Sequence, residues 1–480
     1  MAVTAVRLTA VKKLWTSHGR WAAPTKGGAQ EVAGPPGTDR ALRAYDARGN
    51  VAQRTGGGVT VTYTYDGLDR VKTVSVSGGP TYTYGYDERG YLGKLTSVAE
   101  PDRTVTYDYD GLGRRNRETV SEAGVGAALV TSYVYAPDGA LSSLTYPSGL
   151  AVRYDRDAAT REVTAVVNVA TGQYLAASVT HAPGGPLTGL TFGNGLALSQ
   201  GWNLRYEPLT VTSGPERLSY LPSPSGDVSQ ISDTSQVLSG CFRSAPRDFQ
   251  YDFLDRLASS PGWLGYGYDG NGNRLTETVE GAAASWSYAT GTDRLADRRV
   301  AGVRTHAFAY DPQGNVSAIG KYDAAGTTVT GAVCLRHDQL GRLTLVGATS
   351  PSGVAPDGTA CTSDSNVTSA QARFRYDASN RRIARQEAAT GQWSYTISDP
   401  SGNPLSELNL VSGAWVKARD YVWLDGRPLA QVEYPTRTPV PRTRRPRSPG
   451  LRPRPVRSAQ PAPDVAAARL ARRVRAASTV

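Results

Sequence analysis

The sequence predicts an all-β chain in which tandem hairpins build one long antiparallel sheet. Three observations carry that expectation. A short turn pattern, aromatic-Asp-x-x-Gly-(Arg/Asn)-apolar, recurs from Tyr45 to Arg381. The segments between its copies alternate with a two-residue period, as strands do. The chain has 26 Tyr against 6 Phe, which suits half-exposed sheet faces that pack a ring body. Counting Gly and leaving out Tyr, about 45% of residues are apolar, low for a globular chain but enough to bury a core over 480 residues. No run approaches the roughly 18 apolar residues of a membrane-spanning helix.

The copies run in order along the chain. Tyr45-Asp46 leads to Gly49 and Asn50, Tyr65-Asp66 to Asp69 and Arg70, Tyr86-Asp87 to Gly90, and Tyr109-Asp110 to Gly113 and Arg114. Tyr251-Asp252 leads to Asp255 and Arg256, Tyr268-Asp269 to Gly272 and Asn273, and Tyr310-Asp311 to Gly314 and Asn315. His337-Asp338 leads to Gly341 and Arg342, and Tyr376-Asp377 to Asn380 and Arg381. The first Asp-to-Asp steps are 20, 21 and 23 residues, and Asp269 and Asp311 stand two periods apart. Such a period marks a repeat architecture.

The pattern has a local cause. An Asp side chain at the first turn position accepts from backbone N–H groups two residues on, and Gly suits the fourth position. Where Gly is replaced, the substitutes are Asp69, Asp255 and Asn380, types that tolerate positive φ. These turn residues are the expected structural sites. Before the turns, Val59, Val61, Tyr63 and Tyr65 alternate with Thr. Tyr82, Tyr84 and Tyr86 do the same, as do Val105, Tyr107 and Tyr109. Each unit therefore reads as a hairpin, and the Tyr ladders as cross-strand packing with wet hydroxyls. A ligand-stacking face is the alternative reading for these ladders. Between residues 133 and 240 the pattern degenerates to units such as Tyr146 to Leu150 and Phe192 to Leu196, and residues 350–370 read as a long loop.

Net charge is +11, and all of it is in the tail: residues 436–480 hold twelve Arg with Asp464 as the single acid. The body is balanced, so no specific nucleic-acid partner is expected. The domain reading is an irregular or incomplete repeat over 1–40, the repeat region over 41–434, and a disordered Arg/Pro/Ala-rich tail over 435–480. An out-of-frame stretch of GC-rich coding sequence starting near residues 434–437 would have that composition; a native basic tail that binds anionic polymers or membrane surfaces is the competing account. Residues 1–30 lack the apolar block of a signal peptide.

The search for chemistry returns little. His337 fills the Tyr slot of a repeat, His306 lies in an alternating run, and His18 and His181 lie in loop-like surroundings. The Asp residues are mostly turn residues. Asp269 to Asn273 matches the first five positions of a calcium loop, but Arg274 stands where that loop needs Gly, so the turn reading wins. Gly56, Gly57 and Gly58 read as a hairpin loop. Cys241, Cys334 and Cys361 are too few for a disulfide scaffold or a structural zinc site; Cys334 and Cys361 are either a pair or two free buried thiols. No catalytic residue, cofactor or metal is expected.

The Tyr-Asp-x-x-Gly-Arg-Leu hairpins resemble the YD repeats of Rhs proteins, relatives of insecticidal toxin-complex C components and animal teneurins. The resemblance runs from about Tyr45 to Tyr434. Tyr395 to Asn403 and Asp420 to Ala430 are similar to the late part of an Rhs core. It implies a sheet strip that spirals into a hollow shell around a C-terminal toxin, without enzymatic activity of its own. By length, the expectation is a partial, open cocoon prone to association. Nothing after Gln431 matches the family's Asp-Pro-rich cleavage motif, so no self-cleavage is carried over. The implied role is encapsulating or delivering a toxin in contact-dependent competition, with a toxin domain or secretion-system component as partner and a secreted or cell-surface location. The alternatives are a carbohydrate-binding surface protein and a truncated remnant without current function.

Overall fold

The computed structural model describes residues 29–32, 41–233, 246–349, 361 and 363–434. Expectations for the rest of the 1–40 segment, His18, Cys241, most of the 350–370 loop and the 435–480 tail lie outside the described residues. The described chain is an antiparallel meander of 36 strands, from Ala29–Val32 to Arg427–Glu433. It forms one sheet of 20 strands and one of 16. The two meet at Phe249: Arg247 pairs with Ile231, Gln250 pairs with Ser259, and the Phe249 N–H donates to the Ser229 carbonyl at 2.7 Å. No α-helix occurs among the described residues, and the strand order does not close into a barrel.

One hairpin design repeats. The Asp66 N–H donates to the Arg70 carbonyl at 2.9 Å and the Asp69 N–H to the Asp66 carbonyl at 3.2 Å. Asp69 has φ 60°, and the strand register slips between Thr64 and Tyr65. That is a type I turn closed by a left-handed residue, with a bulge that matches strand twist. The degenerate middle uses the same backbone pattern without Asp. Tyr146 N–H reaches Leu150 O at 2.8 Å, Phe192 N–H reaches Leu196 O at 2.8 Å, and Ala136 begins another such turn. The Ala182 turn makes the same two bonds but has its left-handed residue, Gly184, one position earlier. Glycine at the left-handed position suffices.

Two expectations need correction. The 350–370 loop ends early, because Val367–Tyr376 is a strand whose β-branched start pairs Val367 with Thr349. His181 ends the strand Tyr174–His181 and its side chain is buried, so it is no loop residue.

The strip winds back on itself. Contacts join residues about one winding apart: Gln339 to Gly78 and Arg342 to Tyr82 are separated by 261 and 260 residues, Ala378 to Glu100 by 278, and Trp415 to Ala127 by 288. Apolar burial follows the winding. Val98, Val105, Tyr107, Val120 and Leu129 share a cluster with Ile397 and Leu408. Tyr133, Tyr146, Val152, Val166 and Leu190 share the largest cluster with Leu405, Val422 and Leu424. The last strands therefore lie against the first sheet, and the core forms between windings.

Candidate functional site

The turns make a ladder along one edge of the strip. In the Asp66 turn, Oδ1 accepts from the N–H groups of Leu68 at 2.8 Å and Arg70 at 3.0 Å, and Oδ2 from Arg70 Nε at 2.7 Å. Asp110, Asp252, Asp338 and Asp377 repeat this with Arg114, Arg256, Arg342 and Arg381. Asn replaces Arg opposite Asp46, Asp269, Asp311 and Asp399. Gly113, Gly272, Gly314 and Gly341 hold the left-handed position, with φ between 73° and 92°. Both carboxylate oxygens of Asp269 are used inside its own turn. Asp87 differs: it has φ 60°, accepts from Gly93 N–H at 2.6 Å, and its carboxylate mainly serves the Arg70 guanidinium of the preceding turn, at 2.5 and 3.1 Å. Gly90 there closes a 3-10 turn, Glu88–Gly90.

Electrostatics follows the bonding. The Arg114 N–H holds the Asp110 carboxyl below the ordinary value, as the Asn50 N–H does for Asp46 and the Asn273 amide does for Asp269.

The aromatic slot has a second duty. Tyr65 OH donates to the Val51 carbonyl at 2.9 Å, Tyr109 OH to Leu95 at 2.6 Å, and Tyr251 OH to Val228 at 2.9 Å. Tyr268 and Tyr310 do the same to Leu257 and Leu295. The acceptor is the residue just after the preceding turn, or the corresponding strand start. These hydroxyls, expected to be wet, thus tie each hairpin to its neighbour. Arg guanidinium groups sit over the next ring: Arg70 over Tyr86 at 4.4 Å, Arg256 over Tyr268 at 4.5 Å, Arg342 over Tyr376 at 5.3 Å. His337, in the same slot, is part-buried, and burial lowers its pKa.

A seam joins the windings. Turns of the later winding dock on the opposite, loop edge of the earlier one. Gln339 Nε2 donates to Gly78 O at 2.8 Å, Arg342 to Tyr82 OH at 3.0 Å, and Ala378 N–H to Glu100 at 3.0 Å. Arg375 binds Asp102 at 3.1 Å and also Glu122. A Cβ on Gly57 would stand 2.6 Å from Gln313 Cγ, so this loop needs glycine to admit the turn. Further along, buried Asp420 accepts from the hydroxyls of Ser148, Ser406 at 2.6 Å and Tyr434 at 2.7 Å. His181 meets Asp425 at 2.8 Å. Sequence reasoning missed every one of these: most join residues some 250 apart, and Ser406 and Tyr434, each 14 residues from Asp420, carry no local pattern either. Cys334 and Cys361 form a buried disulfide. Among the described residues no three or more His, Cys, Asp and Glu gather as metal ligands.

The repeat and its turn chemistry agree with a comparison of families. The family model described as RHS Repeat matches residues 45–80, which hold the Asp46 and Asp66 turns. Residues 45–80 are thus an RHS repeat. Among solved structures, the Photorhabdus luminescens Tc holotoxin pore is similar at 12% identity and TM-score 0.49, over 82% of this chain and 24% of that one. The TcdB2–TccC3 complex without its hypervariable C-terminal region is similar at 13% identity and TM-score 0.43, over 82% and 25%. The chain thus spans about a quarter of the length of these two solved chains. No curated protein matches it.

Proposed function

We propose that the RHS-repeat strip is a section of a toxin shell: a wall that holds a polypeptide cargo in contact-dependent competition between cells. The observation that supports this most is the seam, which turns an open ribbon into a curved, self-supporting wall with polar cross-ties and apolar clusters between its windings. The role needs no catalytic residue of its own. The Cys334–Cys361 disulfide supports an oxidising, secreted or surface location. A toxin domain or a further shell component is the partner this reading implies.

The test places a destabilised reporter domain after Val480 and follows its digestion by protease. Slower digestion than for the reporter alone is the expected result; equal rates of digestion contradict the shell. A carbohydrate-binding surface keeps one observation in its favour, a cleft of about 300 Å³ lined by Asp46, Arg48, Tyr63, Tyr65 and Asp69. Glycan binding abolished by Tyr63→Ala would favour it.

A further inference from the structure

The winding leaves one kind of edge covered in one place and bare in another. At the seam, Leu340 stands two residues after Asp338 and lines a cleft with Arg54, Gly57 and Val61, where it is part-buried. The leucines at the same repeat position of the first winding, Leu68 and Leu112, are 71% and 72% exposed. Leu92, in the turn between them, is 82% exposed. These three turns are consecutive on one edge, each two strands or roughly 10 Å from the next. A row of bare leucines of this kind is uncommon on a monomer.

The opposite edge shows the converse. The two-residue loop Gly57-Gly58 receives Gln313. The two-residue loops Glu280-Gly281 and Ala301-Gly302, on the same edge but later in the strip, are exposed. Among the described residues, both halves of such a seam are left uncovered: a turn edge near the start and a glycine-tipped loop edge in the second sheet.

We propose that a second copy of the chain docks head to tail, seating its Glu280-Gly281 and Ala301-Gly302 loops on the Leu68, Leu92 and Leu112 edge. The occupant follows from continuity, because loop edge on turn edge is the contact the chain already makes with itself between Gly57 and Gln313 and between Gly78 and Gln339. The two surfaces differ, so the contact is heterologous and each added copy presents a fresh edge. The inference does not depend on an enclosed cargo.

Sedimentation velocity of the full chain tests it. Mass should climb past the dimer as concentration rises. The variant carrying Leu68→Glu and Leu112→Glu should remain monomeric with an unchanged β-sheet circular dichroism spectrum. Mixed with the unaltered chain, it should shorten the oligomers, because its loop edge still docks. If the double variant loses its sheet spectrum, Leu92→Glu carries the same test. A chain monomeric at every concentration, a dimer that does not grow, or oligomers indifferent to these substitutions would overturn the proposal.

Discussion

At the scale of single residues, the fold rests on an aspartate that satisfies a turn and a glycine or its stand-in that lets the turn close. Asp377 is 3% exposed and accepts from Ser379 N–H, Arg381 N–H and Arg381 Nε. Asp377→Ala leaves these donors unmet and should cost about 2 kcal/mol in urea denaturation. Gly149 has φ 88° and open space around a would-be Cβ, so Gly149→Ala isolates backbone strain, and should cost roughly 1–2 kcal/mol. Both turns were legible in different degrees. The Asp, Asp and Asn substitutes at positions 69, 255 and 380 gave the left-handed site away, whereas the Ala136 and Ala182 turns lack an Asp at the first position and keep only the Gly signal.

At the scale of the element, hairpins are tied to each other by tyrosines and closed by carboxylates, and both titrate. The turn carboxylates of Asp46, Asp110 and Asp269 lie below their ordinary value. Their stabilisation is complete above the unfolded value near about 4 and is lost as pH falls through the folded values. Burial pushes Tyr107, Tyr154, Tyr395 and Tyr434 up to about 12 from 10.0. A raised tyrosine stabilises below its unfolded value and loses that contribution as pH rises through the folded one. Urea midpoints should therefore stay flat from about pH 7 to 9. They should decline below about pH 6.5 as the part-buried His337 and His306 protonate, fall further below about pH 4, and fall between about pH 10 and 12. Alkaline stability that holds through pH 12 would contradict the buried tyrosines. The Cys334–Cys361 bridge spans 27 residues, and reduction should lower stability by roughly 3–4 kcal/mol, checked by denaturation with and without reductant. The sequence left that pair open, since spacing alone cannot show that a turn cysteine meets a strand cysteine. Strand alternation was legible at Val59 to Tyr65, but the hydroxyl-to-carbonyl ties were not, because their acceptors are backbone atoms with no sequence signature.

At the scale of the whole molecule, the account turns on winding. Hairpin periodicity announces a ribbon and says nothing of its curvature. The partners that fix the curvature, such as Gln339 with Gly78 and Ala378 with Glu100, are ordinary residues at irregular separations of 261 and 278. Spin labels at Pro101→Cys and Ser379→Cys, on exposed residues flanking the Glu100–Ala378 contact, measure the winding directly. Twenty-four strand steps separate the strands Leu95–Glu100 and Val367–Tyr376, so a ribbon that did not wind would hold the labels about 115 Å apart. Double electron–electron resonance should instead return a single short distance across the seam. A distribution centred near the unwound length would contradict the account.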